Sequence, residues 1–151
     1  MISWDTCKED FRWDGSLRDI YITPASLCDW EAIYPFLRSQ SGVEFTTVAG
    51  SCDAPATITP SLFTGSRPML RFRVGGILVV CHFFTPEEIE FDIDPREVTT
   101  QAHLDSLLAF LQQLGDRTRK RAVLTPENLP HGPIISYDSE TRQFEYHKCS
   151  A

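Results

Sequence analysis

Residues 69–94, MLRFRVGGILVVCHFFTPEEIEFDID, contain three apolar-rich runs separated by two short turn signals. Gly75-Gly76 forms the first signal and Thr85-Pro86-Glu87 the second. Connections this short join antiparallel neighbours, because a parallel crossover needs a much longer segment. The stretch therefore predicts a meander of three adjacent strands, MLRFRV, ILVVCHFF and EIEFDID.

The lengths of the two turns predict the register of this meander. Across the first turn, the expected opposite pairs are Val74 with Ile77, Arg73 with Leu78, and Arg71 with Val80. Across the second turn, they are Phe84 with Glu88, His82 with Glu90, Val80 with Asp92, and Leu78 with Asp94.

Successive side chains of a strand point to opposite faces of a sheet, so this register divides the stretch into two sets. The apolar face is expected to contain Leu70, Phe72, Val74, Ile77, Val79, Cys81, Phe83, Ile89, Phe91 and Ile93. The opposite face, here called the amphipathic face, is expected to contain Arg71, Arg73, Leu78, Val80, His82, Phe84, Glu88, Glu90, Asp92 and Asp94. The apolar face is the predicted core, and amphipathic helices are its expected cover.

The segment before the meander predicts strands and one helix. Asp14-Gly15 lies between apolar-alternating arms and indicates a hairpin over 11–23, of which Leu17 to Thr23 is the clearer strand. Ser26 and Asp29 form a helix start that resembles a capping box, although Pro35 predicts a kink or an end near Tyr34. A strand follows at 43–49, and 50–68 is expected to be a surface loop with a short turn near 61–63.

The segment after the meander contains the clearest helix of the chain, at 99–116. Gly115 is its expected C-cap. A strand is predicted at 121–125 and a terminal hairpin around 138–141. The apolar stripe of the helix at 99–116 has helical spacing and consists of Leu104, Leu107, Leu108, Leu111 and Leu114.

These elements predict a single α+β domain over residues 1–151. Its mostly antiparallel sheet has six to seven strands, with two helices packed on one face. The expected element order is β-α-β, then the meander, then α, then β-β.

Composition restricts the classes of partner and the cellular location. The formal net charge of −7 disfavours nucleic acid, whose binding depends on clustered Lys and Arg. Five cysteines, an odd number without a C-x-x-C pair, indicate free thiols in a reducing compartment. No secretory h-region and no run of about 20 apolar residues is present, so a cytoplasmic protein without a membrane partner is expected. The common nucleotide, serine-hydrolase and zincin motifs are absent, and no cofactor is expected.

Three interpretations of the amphipathic face remain open from the residues alone. In the first, it is a solvated sheet face on which Arg71 and Arg73 reach over the central strand to Asp92 and Asp94. In the second, its charge-rimmed apolar residues form a protein interface. In the third, His82 beside Glu90 acts as an oriented base, or carboxylates of the third strand bind a metal ion.

Two classes of function follow from these interpretations. The first is a non-catalytic binding module that presents the acidic face to a basic protein partner, of a regulatory or toxin-neutralising type. The alternative is a small hydrolase or metal-assisted enzyme that uses His82 with Glu90, Asp92 and Asp94. A homodimer formed through Leu78, Val80 and Phe84 is a further alternative.

Overall fold

The computed structural model describes residues 1–148 as one antiparallel sheet with nine strands, three α-helices and three 3-10 helices. The spatial strand order is β3-β2-β4-β5-β6-β1-β7-β8-β9. Strands β1 to β9 span Arg18–Ile22, Ser41–Thr47, Gly50–Cys52, Met69–Val74, Ile77–Thr85, Glu88–Ile93, Ala122–Pro126, Ile135–Asp138 and Gln143–Tyr146. Helices α1 to α3 span Trp4–Cys7, Leu27–Arg38 and Gln101–Thr118, and the 3-10 helices span Lys8–Phe11, Pro60–Phe63 and Pro95–Glu97.

The α+β class and the antiparallel sheet are thus confirmed, but the predicted numbers of strands, six to seven, and of helices, two, are wrong. The additional helix is the short α1. Part of the difference in strand number comes from β3, a short strand that pairs with β2 inside the segment 50–68, which was expected to be a loop. The expected turn near 61–63 is present there as a 3-10 helix. At the other edge of the sheet, the predicted terminal hairpin supplies β8 and β9.

The meander forms as predicted over most of its length. The pairing of Phe84 with Glu88 is wrong, since Glu88 lies opposite Thr85. A β-bulge between His82 and Thr85 adds one residue to β5 and shifts the register there. The confirmed pairs are Val74 with Ile77, Arg73 with Leu78, Arg71 with Val80, His82 with Glu90, and Val80 with Asp92.

The predicted apolar face belongs to the hydrophobic core, and nine of its ten members are buried. From α3, the ring of Phe110 contacts Phe72 and Phe91, with centroid distances of 5.8 and 5.4 Å. From α2, Trp30 stacks on Phe83 at 5.0 Å. Aromatic packing therefore connects residues of both long helices to the meander.

The hairpin expected over 11–23 is not formed. Strand β1 instead pairs with β6 on one side and β7 on the other, in the interior of the sheet. The guanidinium of Arg18 is buried and donates to the backbone carbonyls of Asp10 and Arg12, at 2.8 and 2.9 Å. A buried guanidinium needs such acceptors, so the chain before β1 wraps around Arg18 and does not form a partner strand.

Helix α2 begins as predicted. The backbone N–H of Ser26 donates to Oδ2 of Asp29 at 2.9 Å, which is one half of a capping box. The early end expected near Tyr34 as one of two effects of Pro35 does not occur, because the helix continues to Arg38. Pro35 and Glu31 are both exposed, so the Glu31 carbonyl that loses its helical donor is on the solvent side.

Helix α3 buries all five leucines of its predicted stripe, but Gly115 is not its C-cap. The helix runs to Thr118, and Arg119 takes the left-handed cap conformation with φ 57°. Gly115 instead packs against Tyr137: an added Cβ would lie 2.6 Å from Cδ2 of that ring. None of the helices within residues 1–148 has both the length and the apolar character required to cross a membrane.

The four cysteines within residues 1–148 are free thiols, as predicted. Cys7 and Cys81 are buried, whereas Cys28 and Cys52 are exposed. The fifth, Cys149, lies outside the described residues.

Candidate functional site on the amphipathic face

The amphipathic face is centred on β5 and β6 and continues onto β1. Because Asp19 pairs with Asp92 and Tyr21 with Glu90, these two side chains of β1 lie on the same face as the acids of β6. Alternation within RDIYI predicts that Asp19 and Tyr21 share a face. It contains no signal that β1 lies beside β6, so sequence reasoning missed both residues.

His82 and Asp92 form the shortest contact of this face. Nε2 of His82 lies 2.5 Å from Oδ2 of Asp92, and the two side chains are 18% and 21% exposed. His82 is directly opposite Glu90 in the sheet, but its ring bonds diagonally to the next acid of β6. The backbone register of His82 with Glu90 is as predicted, but the side chain of His82 pairs with Asp92 and not with Glu90.

Phe84 covers one side of this pair. Its ring is nearly parallel to the imidazole of His82, with an interplanar angle of 5° and centroids 4.9 Å apart. The side chain of Phe84 is still 60% exposed, which is unusual for a large apolar residue. Stacking restrains the imidazole from one face while the Phe84 ring remains available to a partner.

A second set of polar groups lies between β1 and β6. The hydroxyl of Tyr21 is 3.0 Å from Oδ2 of Asp19 and 3.1 Å from Oε1 of Glu90. Asp19 also accepts the backbone N–H of Asn128 at 2.8 Å, which attaches the β7–β8 connection to the face. Asp19 and Tyr21 are only 3% and 2% exposed, whereas Glu90 is partly exposed.

Burial dominates the protonation equilibria of these groups. It raises the pKa of Asp19 and of Glu90, and neighbouring carboxylates raise both further. The hydrogen bond from the Asn128 N–H opposes the rise at Asp19, and the nearby Tyr21 hydroxyl opposes the rise at both carboxyls. The pKa of the Tyr21 phenol is also raised, first by burial and then by Asp19 and Glu90, so this hydroxyl remains protonated.

The ion pairs expected between the arginines of β4 and Asp92 or Asp94 are not formed. Arg73 instead lies 3.2 Å from Glu97. Arg71 donates to the hydroxyl of Thr46 at 3.3 Å. Thr46 lies on β2, next to β4, whereas Glu97 lies in the 3-10 helix that follows β6. Both arginines therefore have partners other than Asp92 and Asp94.

Asp94 leaves the sheet because β6 ends at Ile93 and the next residues form a 3-10 helix. Its carboxylate accepts the backbone N–H of Arg96 at 2.9 Å and pairs with the guanidinium at 2.7 Å. These bonds lower the pKa of Asp94. The expected pair of Leu78 with Asp94 is therefore missing, and the backbone N–H of Leu78 donates to Glu97 at 3.1 Å.

Three acids of β6 remain on the face, namely Glu88, Glu90 and Asp92, here called the acid row. The only cationic side chain paired with the acid row among residues 1–148 is His82, which is charged only when protonated. Leu78 and Val80 lie beside the row and are partly buried. The face thus combines weakly compensated negative charge with apolar surface.

Of two clefts of about 450 and 380 Å³, the first is lined by Phe36 and Gln113 and meets the face at Arg73, and the second is lined by Trp13 and Arg96. Within residues 1–148, no group of three or more His, Cys, Asp or Glu side chains is arranged to hold a metal ion. Comparison with known proteins found no matching family model, no matching curated protein and no matching solved structure.

Proposed function

We propose that this protein is a non-catalytic, cytoplasmic binding module whose amphipathic face binds a basic protein partner, in a regulatory or toxin-neutralising role. The observation that carries the proposal is the exposed ring of Phe84 beside the weakly compensated acid row. An exposed aromatic residue next to unpaired charge is typical of a protein interface, where the aromatic residue supplies affinity and the charge supplies orientation.

The proposal takes both long helices to cover the apolar face of the sheet. The contacts of Trp30 with Phe83, and of Phe110 with Phe72 and Phe91, support this arrangement. Under it, the amphipathic face stays open over β4, β5 and β6, and a partner has a broad, twisted surface available. Free thiols at Cys28 and Cys52 agree with a reducing compartment.

The test uses the purified chain as bait, followed by reconstitution with each captured protein in purified form. Phe84→Ala should weaken the purified complex by about tenfold or more, since the change removes an exposed aromatic contact. Val48→Ala is the matched control, because Val48 is an apolar side chain that is 71% exposed and outside the acid row. Both variants should keep the stability of the wild-type protein.

Charge is tested with Glu88→Gln in the same reconstituted complex. We expect weaker binding at low ionic strength and a smaller loss of affinity as salt is added, because Glu88 contributes to attraction of a basic partner. The proposal fails if the complex has the same affinity with wild type, Phe84→Ala and Glu88→Gln. It also fails if sedimentation shows that Phe84→Ala only dissociates a homodimer and no basic protein binds.

The second candidate is a small hydrolase or metal-assisted enzyme, and the His82–Asp92 contact of 2.5 Å favours it. A carboxylate that holds one ring nitrogen leaves the other to accept a proton from substrate or water. Asp94, which was expected to join this set, is turned toward Arg96. Thermal melting with divalent cations, and hydrolysis assays comparing wild type with His82→Gln, distinguish this candidate from the binding module.

A further inference from the structure

The Tyr21 hydroxyl has one hydrogen but two carboxyl groups within hydrogen-bonding distance, Asp19 at 3.0 Å and Glu90 at 3.1 Å. A hydroxyl donates only one hydrogen bond along its O–H. If both carboxyls were ionised, one of the two oxygen–oxygen contacts would lack a hydrogen and would be repulsive. Both contacts are hydrogen bonds only when one carboxyl carries a proton and donates to the phenol oxygen.

Two features of the geometry favour Glu90 over Asp19 as the carboxyl that holds this proton. The ionised form is better stabilised at Asp19 than at Glu90, since Oδ2 of Asp19 also accepts the backbone N–H of Asn128 at 2.8 Å. Glu90 has Tyr21 as its hydrogen-bond partner and is the member of the three with solvent access. The resulting chain of donors runs from the Glu90 carboxylic acid to the Tyr21 hydroxyl and on to the Asp19 carboxylate.

We propose that the hydrogen-bonded chain Glu90–Tyr21–Asp19 holds one proton on the Glu90 carboxyl, and that this chain links release of the proton to Asn128 in the β7–β8 connection. On deprotonation, the proton leaves Glu90 to water, and the Glu90 carboxylate then competes with Asp19 for the hydrogen of Tyr21. The acid row gains one negative charge. The inference deepens the proposed function, on which it rests for its meaning, by making the charge of the binding face depend on pH.

Some charged groups around Glu90 and Asp19 oppose ionisation of these two carboxyls, and one favours it. From β6, Glu88 opposes ionisation of Glu90, and Asp92 opposes ionisation of Asp19. From the β7–β8 connection, Glu127 also opposes ionisation of Asp19. From β5, His82 favours ionisation of Glu90, so its own protonation works against retention of the proton. Burial and the carboxylates outweigh His82, and the pKa of Glu90 is raised.

The decisive experiment follows the side-chain carboxyl carbons and the backbone amides by NMR as pH is raised, in the free chain of 151 residues without a partner. We expect the Glu90 carboxyl to ionise at higher pH than the glutamates of the urea-unfolded chain. We also expect the Asn128 amide signal to shift with the same midpoint. Glu90 ionising in the range of the unfolded chain, or an Asn128 signal that does not follow it, would overturn the inference.

Two variants separate the relay from a general change in electrostatics. Tyr21→Phe removes the bridging hydroxyl, and the Asn128 signal should then no longer report the Glu90 midpoint. Glu88→Gln is the matched control, since it neutralises an acid two residues away on the same strand and should leave the coupling intact. If Tyr21→Phe does not fold, the wild-type titration alone decides, and its result does not depend on whether any partner is ever found.

Discussion

His82 bonds to Asp92, at 2.5 Å between Nε2 and Oδ2, although the residue directly opposite it in the sheet is Glu90. Because the imidazole bonds to Asp92, the Glu90 carboxyl has the Tyr21 hydroxyl as its neighbour instead, at 3.1 Å. Two acids of the same strand therefore enter two different hydrogen-bonded groups, one with an imidazole and one with a phenol. The amphipathic face therefore contains an imidazole–carboxylate pair beside a separate group of a phenol and two carboxyls.

Asp92→Asn should destabilise the protein through loss of the contact with His82. An amide cannot provide the charge of the carboxylate, and the pair is only about one-fifth exposed. We expect a loss of about 1–2 kcal/mol in the free energy of unfolding, measured with urea. Glu88→Gln is the same kind of change on the same strand, at an acid that forms no ion pair within residues 1–148, and should remain within about 0.5 kcal/mol. Equal effects of the two variants would show that the His82–Asp92 contact contributes no stability.

The stability of the protein should depend on pH through Glu90. Its folded-state pKa is raised above the ordinary value of 4.5, so the native state binds more protons than the unfolded state between these two values. The stability associated with Glu90 is complete below its unfolded pKa and is lost as pH rises through its folded pKa. Glu90→Gln cannot ionise, and its free energy of unfolding should exceed that of wild type by an amount that grows over this window. Parallel pH profiles of wild type and Glu90→Gln would contradict this prediction.

Gly115→Ala should destabilise the protein, although alanine is the better helix former by about 1 kcal/mol. The added Cβ would lie 2.6 Å from the Tyr137 ring and 3.1 Å from the carbonyl oxygen of Lys120, and Tyr137 is fully buried. We expect a net loss of about 1–3 kcal/mol in urea unfolding, as for other overpacked core positions. Gln113→Ala, at an exposed position of the same helix, should change stability by less than about 0.5 kcal/mol. A Gly115→Ala variant that is more stable than wild type would show that Tyr137 moves aside without cost.

Thiol labelling should divide the cysteines by burial. Cys28 and Cys52 are exposed and should react with a maleimide in the native protein. Cys7 and Cys81 should react only after unfolding, because both are buried and burial raises the pKa of Cys7 to about 11, which leaves little thiolate. Mass spectrometry of the labelled peptides assigns each site, with the urea-unfolded chain as the control. Rapid native labelling of Cys81 would contradict the position of β5 in the core.

Local pattern determined the meander. Alternation with a period of two separates Val79 and Cys81 from Val80 and His82, and the two-residue turn at 75–76 sets the register, since both effects act between neighbours in the chain. The leucine stripe of α3 follows from helical spacing for the same reason. The local signals did not reveal the bulge near Thr85, which changes the pairing at one end of β5.

The hydrogen-bonded core of the candidate site was decided by tertiary structure. Tyr21 and Glu90 are 69 positions apart in the chain, and they meet because β1 lies between β6 and β7. Which distant strands become neighbours depends on how the whole chain buries its apolar surface and satisfies its buried polar groups, among them the Arg18 guanidinium. The amino-acid sequence by itself thus determined which side chains share a face within 69–94, whereas only the tertiary structure placed Asp19 and Tyr21 beside the acids of that face.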